Sequence, residues 1–180
     1  MELDEIVLPE TKPETEWVRG RALQKMSPLR DHSLIQGEFI KRLGPWSRGR
    51  GEVGPEWRFR IAVPGEVRRP LVPDVSYVAA ERLRGLTHEE KQAPTFAPTV
   101  AIEILSLGDR RADVESKIDV YLRGGSSLVF IVDSRTRTIE VHDENGRNVL
   151  RGDDTLTHPA LSDFSLNLRE FFASALDHTY

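Results

Sequence analysis

Apolar residues along this chain fall into stretches of two distinct periods, and the breaks between them mark its elements. Residues 1–14 show neither period and carry Pro9, Pro13 and several acids, so they read as a loose tail before a single domain over 15–180. The stretch EWVRGRALQKM, Glu16 to Met26, alternates well enough for a strand broken at Gly20. From His32 to Leu43 the apolar positions Leu34, Ile35, Phe39 and Leu43 recur at helical spacing, and Gly44 with Pro45 is expected to end that helix. A glycine-rich stretch, RGRGEVGP, leads into EWRFRIAV, where Trp57, Phe59 and Ile61 alternate with charged residues, and LVPDVSYV follows as a second strand. Residues 81–98 are polar and hold Pro94 and Pro98, a connection with room for a short helix over His88 to Lys91.

The second half of the chain has the stronger pattern. VAIEILS is almost continuously apolar, as a buried central strand should be, and DRRADVESKIDVYLRGG sets Val114, Ile118, Tyr121 and Leu122 on one helical face with Gly124 and Gly125 as its stop. SLVFIVD is another buried strand, TRTIEVHD returns as its antiparallel partner, Asn145-Gly146 turns the chain into NVLRG, and NLREFFASAL closes it as a helix. A helix between two buried strands implies parallel pairing of VAIEILS with SLVFIVD, because parallel neighbours need a crossover. The expected class is therefore α/β or α+β, a mixed sheet flanked by helices.

Composition narrows the chemistry. The 180 residues include no cysteine, which removes disulfides, thiolate zinc sites and cysteine nucleophiles together and fits a reducing compartment. The acidic start lacks the basic and apolar segments of a signal peptide, and no apolar run approaches a membrane span, so the expected location is cytoplasmic with no membrane partner. A formal charge of -4 argues against a protein that coats nucleic acid, but local basic pairs occur at Arg48 and Arg50, Arg68 and Arg69, and Arg110 and Arg111. Any one of these pairs reads first as solvated surface charge.

Glu103 is the most informative residue. A carboxylate in the middle of an apolar strand costs a large desolvation free energy unless a cation or hydrogen bonds compensate it. Asp74, after Pro73, is likewise an acid set among apolar residues. Taken singly, each acid is as well explained by a salt bridge or a strand edge; two of them on neighbouring strands would bring hard oxygen ligands to one divalent cation. In the helix that follows, Asp113, Lys117 and Tyr121 fall at i, i+4 and i+8 and form a stripe bordering the apolar one, which turns Lys117 toward the edge of the core. Without the strand acids, Asp113 and Lys117 would be an ordinary surface pair.

The series VPDVSYV, AIEILS, DVESKIDVYLRGG and SLVFIVD resembles the Uma-type family of restriction endonucleases within the PD-(D/E)XK nuclease superfamily. EWVRGRALQKMSP with His32 is similar to that family's opening and DDTLTHPALSDFSLNLREFF to its close, so the likeness spans roughly residues 16 to 175. It implies a restriction-endonuclease-like fold and a metal-dependent endonuclease acting on nucleic acid, with DNA the expected substrate. Asp74 would stand for the acid of the PD element and Glu103 for that of the (D/E)XK element. These two would hold Mg²⁺ or Mn²⁺ together with the Ile104 carbonyl, while Lys117 assists. One departure stands out: the lysine expected two residues after the acid is Leu105, and the resemblance implies that Lys117 carries its role.

Glu16 and His32 are weaker candidates, as an extra ligand and a phosphate contact, and each alone is more often structural. Asp113 and Tyr121 read as groups that orient Lys117 and the helix. His88, His142, His158 and His178 show no metal-ligand spacing. The rival class is a nuclease-fold module with weak or no activity that binds nucleic acid or a protein partner, favoured by Leu105 and opposed by an otherwise needless buried acid. A homodimer is a further assembly that the hairpin after SLVFIVD would allow.

Overall fold

The computed structural model describes residues 4–180. Its strands are β1 (Thr15–Val18), β2 (Arg21–Gln24), β3 (Gly51–Pro55), β4 (Phe59–Ile61), β5 (Arg69–Leu71), β6 (Val75–Ala79), β7 (Val100–Ile104), β8 (Leu128–Asp133), β9 (Thr138–Asp143), β10 (Gly146–Leu150), β11 (Thr155–Leu156) and β12 (Leu166–Asn167). The helices are α1 (Arg30–Ser47), α2 (Ala80–Leu83), α3 (His88–Gln92), α4 (Arg111–Arg123) and α5 (Leu168–Leu176). Six strands form one mixed sheet in the order β10-β9-β8-β7-β6-β3. Within this sheet β7 and β8 pair in parallel and the other neighbours antiparallel, and α4 is the crossover that joins β7 to β8, as the buried strand-helix-strand pattern implies. The remaining strands make two-stranded ribbons, among them β1-β2 and β4-β5.

Strand alternation gives the sheet two different faces. On one, Val75, Ile102, Phe130 and Val132 meet Ile35, Phe39 and Leu43 of α1 and Phe171, Phe172 and Ala175 of α5. The Phe39 and Phe171 rings pack 4.6 Å apart between centroids, a tilted aromatic contact that adds about 1 kcal/mol to the burial itself. On the other face, Val78, Ala101, Val129 and Ile131 meet Val114, Ile118 and Tyr121 of α4, with Val18, Phe59, Ile61 and Leu71 from the two ribbons.

Three local expectations are corrected. The stretch from Glu16 to Met26 is a hairpin, because Arg19 and Gly20 both take positive φ (50° and 75°) and reverse the chain between β1 and β2. Helix α1 runs through Gly44 and Pro45 to Ser47, its last turn held by Trp46, whose Nε1 donates to the Ser162 carbonyl, and by Ser47 Oγ on the Gly44 carbonyl. The glycine-rich stretch contains β3, an edge strand of the main sheet. Glycine is required at its first position, where a Cβ on Gly51 would lie 2.1 Å from the Val78 carbonyl oxygen.

The segment expected as a loose tail carries contacts its composition did not suggest. The Ile6 amide donates to the Arg68 carbonyl at 2.8 Å, and the Glu5 carboxylate accepts from Arg60 at 2.6 Å. No helix among the described residues is long and apolar enough to cross a membrane.

Candidate active site

LVPDVSYV splits at Val72 to Asp74, which leaves Asp74 just ahead of β6. Strands β6 and β7 pair antiparallel with Val75 opposite Ile102, so one further step of the same register sets Asp74 opposite Glu103. Both acids share the sheet face of Ser76, Val78 and Ala101. The Ile104 amide donates to Asp74 Oδ2 at 2.7 Å, tying the end of β7 to this carboxylate.

From the other side, α4 supplies Lys117, whose Nζ lies 2.7 Å from Glu103 Oε2 and 3.0 Å from Glu16 Oε2. Tyr121, one turn further along α4, donates its hydroxyl to Glu103 Oε1 at 2.6 Å. Glu16, on β1, is anchored through its second oxygen, which accepts from the Val72 amide at 2.7 Å. His32, in the first turn of α1, approaches Asp74 Oδ2 with Nε2 at 3.2 Å, while its Nδ1 is buried without a partner among the described residues. Asp113 turns to Arg21 and Arg19 of the hairpin, at 2.8 and 3.4 Å, and makes no pair with Lys117.

Lys25, just past β2, is the residue that sequence reasoning missed. Its Nζ contacts three oxygens: Asp74 Oδ1 at 2.6 Å, the Val72 carbonyl at 2.9 Å and Glu56 Oε2 at 3.1 Å. A signal was present, since Glu16 lies opposite Leu23 in the hairpin and alternation then puts Lys25 on the same face as Glu16. Recognising it required seeing a hairpin where the pattern suggested one strand.

Glu16, Lys25, His32, Asp74, Glu103 and Lys117 line a cavity of about 370 Å³. Leu105 lines it too, so an apolar side chain stands in the cavity where the tripeptide would supply a lysine. Three buried acids, Glu16, Asp74 and Glu103, share two lysines. The surplus negative charge falls on Glu103. Burial pushes its carboxyl up to about 7, against the pull of Lys117, and the neighbouring Glu16 and Asp74 add to the rise. Burial also works against ionised Asp74, but Lys25, His32 and Lys117 outweigh it and hold this carboxyl below the usual range. For both lysines desolvation is overcome by the facing carboxylates, and their pKa values are raised. The same competition raises His32, through its hydrogen bond to Asp74.

The donor set fits a hard divalent ion. Among the described residues no three His, Asp or Glu side chains are spaced as a closed metal cage. Mg²⁺ needs no such cage, because one or two carboxylates with water and substrate phosphate complete its shell. The two ammonium groups already lodged between oxygens mark where positive charge is favoured here.

An antiparallel and parallel mixed sheet with helices on both faces, and acids meeting at the ends of two central strands, defines a nuclease-like α+β protein. The family model described as Uma2, putative restriction endonuclease, matches residues 2–169, and the chain belongs to this family. A crystal structure described as a putative nuclease belonging to DUF820, from Anabaena variabilis ATCC 29413, superimposes with a TM-score of 0.83 at 25% identity. The alignment covers 94% of this chain and 95% of that one. A comparison with curated proteins finds no match.

Proposed function

We propose that the chain is a metal-dependent endonuclease that hydrolyses phosphodiester bonds in DNA, with residues 15–180 as one catalytic domain working in the cytoplasm. The observation that carries this reading is the meeting of Asp74 and Glu103 on one sheet face with the Lys117 ammonium 2.7 Å from Glu103. Asp74 and Glu103, with the Ile104 carbonyl, would hold Mg²⁺ or Mn²⁺, which acidifies water and neutralises charge on a phosphate.

The other residues have roles that follow from their contacts. Tyr121 and Lys117 each bind one oxygen of Glu103 and so fix its rotamer. Lys117 Nζ keeps its charge and, itself buried at the cavity wall, stabilises negative charge developing on phosphate oxygens. Glu16 holds Lys117 in place. His32 orients Asp74, and Asp113 secures the hairpin that brings Glu16 and Lys25 to the cavity.

The test is cleavage of double-stranded DNA, single-stranded DNA and RNA with Mg²⁺ or Mn²⁺. Asp74→Ala and Glu103→Ala are expected to abolish cleavage, and Lys117→Ala to reduce turnover more than metal binding. A Lys117→Ala variant as fast as wild type would remove that lysine from the mechanism. Leu105 favours a second reading, a nuclease-fold module that binds nucleic acid or a protein without cutting. Absence of Mn²⁺ affinity in the wild type, or equal affinity in Glu103→Ala, would select it.

A further inference from the structure

Both carboxylate oxygens of Asp74 are already engaged by the protein itself. A carboxylate oxygen offers about two lone pairs. At Oδ2 these meet the Ile104 amide and His32 Nε2, at 2.7 and 3.2 Å. That leaves Oδ1, where the Lys25 ammonium sits at 2.6 Å. Lys25 does not lie there by default: its side chain is 13% exposed, and Val72 and Glu56 complete an all-oxygen surround for Nζ. An ammonium ringed by oxygens in a cavity with two buried acids beyond Asp74 is a monovalent, covalently tethered substitute for a metal ion.

Resting on the metal-dependent reading above, we propose that Lys25 occupies the cation position on Asp74 and exchanges with the divalent ion, so that it sets the affinity of the site for metal. A dication on the remaining lone pair of Oδ1 would lie against the ammonium, too close for water to come between the two charges, so the two cations exclude each other. The exchange needs no unfolding of the hairpin, because Glu56 and the Val72 carbonyl still receive the displaced ammonium. Lys25 thereby also keeps the buried Asp74 compensated when no metal is bound. Removing either partner of a buried ion pair leaves an uncompensated charge.

The competition predicts an inverted response, since damage to a ligand shell weakens metal binding whereas removal of a competitor strengthens it. Mn²⁺ is titrated into the full chain by calorimetry, with electron paramagnetic resonance counting free ion. Lys25→Met binds about tenfold or more tighter than wild type, Lys25→Arg stays within about threefold, and Asp74→Asn loses binding. Equal or weaker binding by Lys25→Met overturns the exchange, and so does equal tightening by Lys25→Arg. In both cases the nuclease reading stands if wild type binds and Asp74→Asn does not. Failure of wild type and Lys25→Met alike to bind overturns both, as does undiminished binding by Asp74→Asn. Should Lys25→Met be unfolded without metal, circular dichroism during the Mn²⁺ titration decides. Folding on the ion supports the exchange, and a chain that stays unfolded at millimolar Mn²⁺ overturns it.

Discussion

The two faces of the central sheet are built from the same strands by the same alternation, yet they bury different things. Under α1 and α5 the side chains that meet the sheet are apolar, from Ile35 and Phe39 to Phe171. Under α4 the apolar contact continues only part of the way, and where β6 begins and β7 ends it gives way to Glu16, Asp74, Glu103 and Lys117, all buried. Burial of apolar surface stabilises a fold in proportion to area, whereas buried ion clusters recover little more than their desolvation cost. The first face holds the molecule together. The second gives up part of that stabilisation at one place, where buried acids and lysines meet.

The largest effect that would test this contrast is on the dry face. Phe171→Ala, at a fully buried ring, is expected to lower the unfolding free energy in urea by about 3–5 kcal/mol while the folded fraction binds Mn²⁺ as wild type does. A loss of metal affinity without loss of stability would erase the distinction. Glu103→Gln should do the opposite, reducing cleavage about a thousandfold with a stability change of under about 1 kcal/mol, because the buried acid it replaces is already unfavourably ionised.

A pH series sharpens the comparison further. The folded-state pKa of Glu103 is raised from 4.5 to about 7, so the native protein holds a proton that the unfolded chain has lost across that interval. The group's contribution, on the order of a few kcal/mol, is fully present below pH 4.5 and is lost as pH rises through 7. Melting of the metal-free protein should therefore show this loss between pH 5 and 8, and Glu103→Gln should remove it. Metal binding runs the other way, with Mn²⁺ affinity falling about tenfold per unit below pH 7 as the ligand takes up a proton. The smallest effect belongs to the surface: Arg111→Ala, at a side chain 45% exposed and paired with Glu140 and Glu115, should cost under about 1 kcal/mol in the same urea experiment.

Much of the fold was legible because local pattern and tertiary role coincide. VAIEILS and SLVFIVD are almost continuously apolar because both faces of β7 and β8 are covered, and α4 ends at Gly124 and Gly125 as expected. The pattern failed where packing overrode it. Pro45 lies inside α1 because Trp46 and Ser47 find partners that hold the last turn, and the glycines of β3 read as a loop because an edge strand with little side-chain area has no period to show. The cavity is a similar mixture. Glu103 and Asp74 stand out as acids among apolar neighbours, whereas Lys25 sits in a stretch whose polarity looks like solvent exposure.

The chain itself determined which side chains stand out as candidates within each element: an acid inside a buried strand, another after Pro73, and a lysine on the stripe of α4 that borders the core. Periodicity is local, and it is enough to decide those placements. Only the tertiary structure decided how the groups share charge, because the pairs that matter join Lys25 to Asp74 across 49 positions and Lys117 to Glu16 across 101. Contacts at that separation arise when the β1-β2 hairpin docks beside the sheet, and their consequence, three buried acids competing for two ammonium groups, depends on distance and burial that no local pattern encodes.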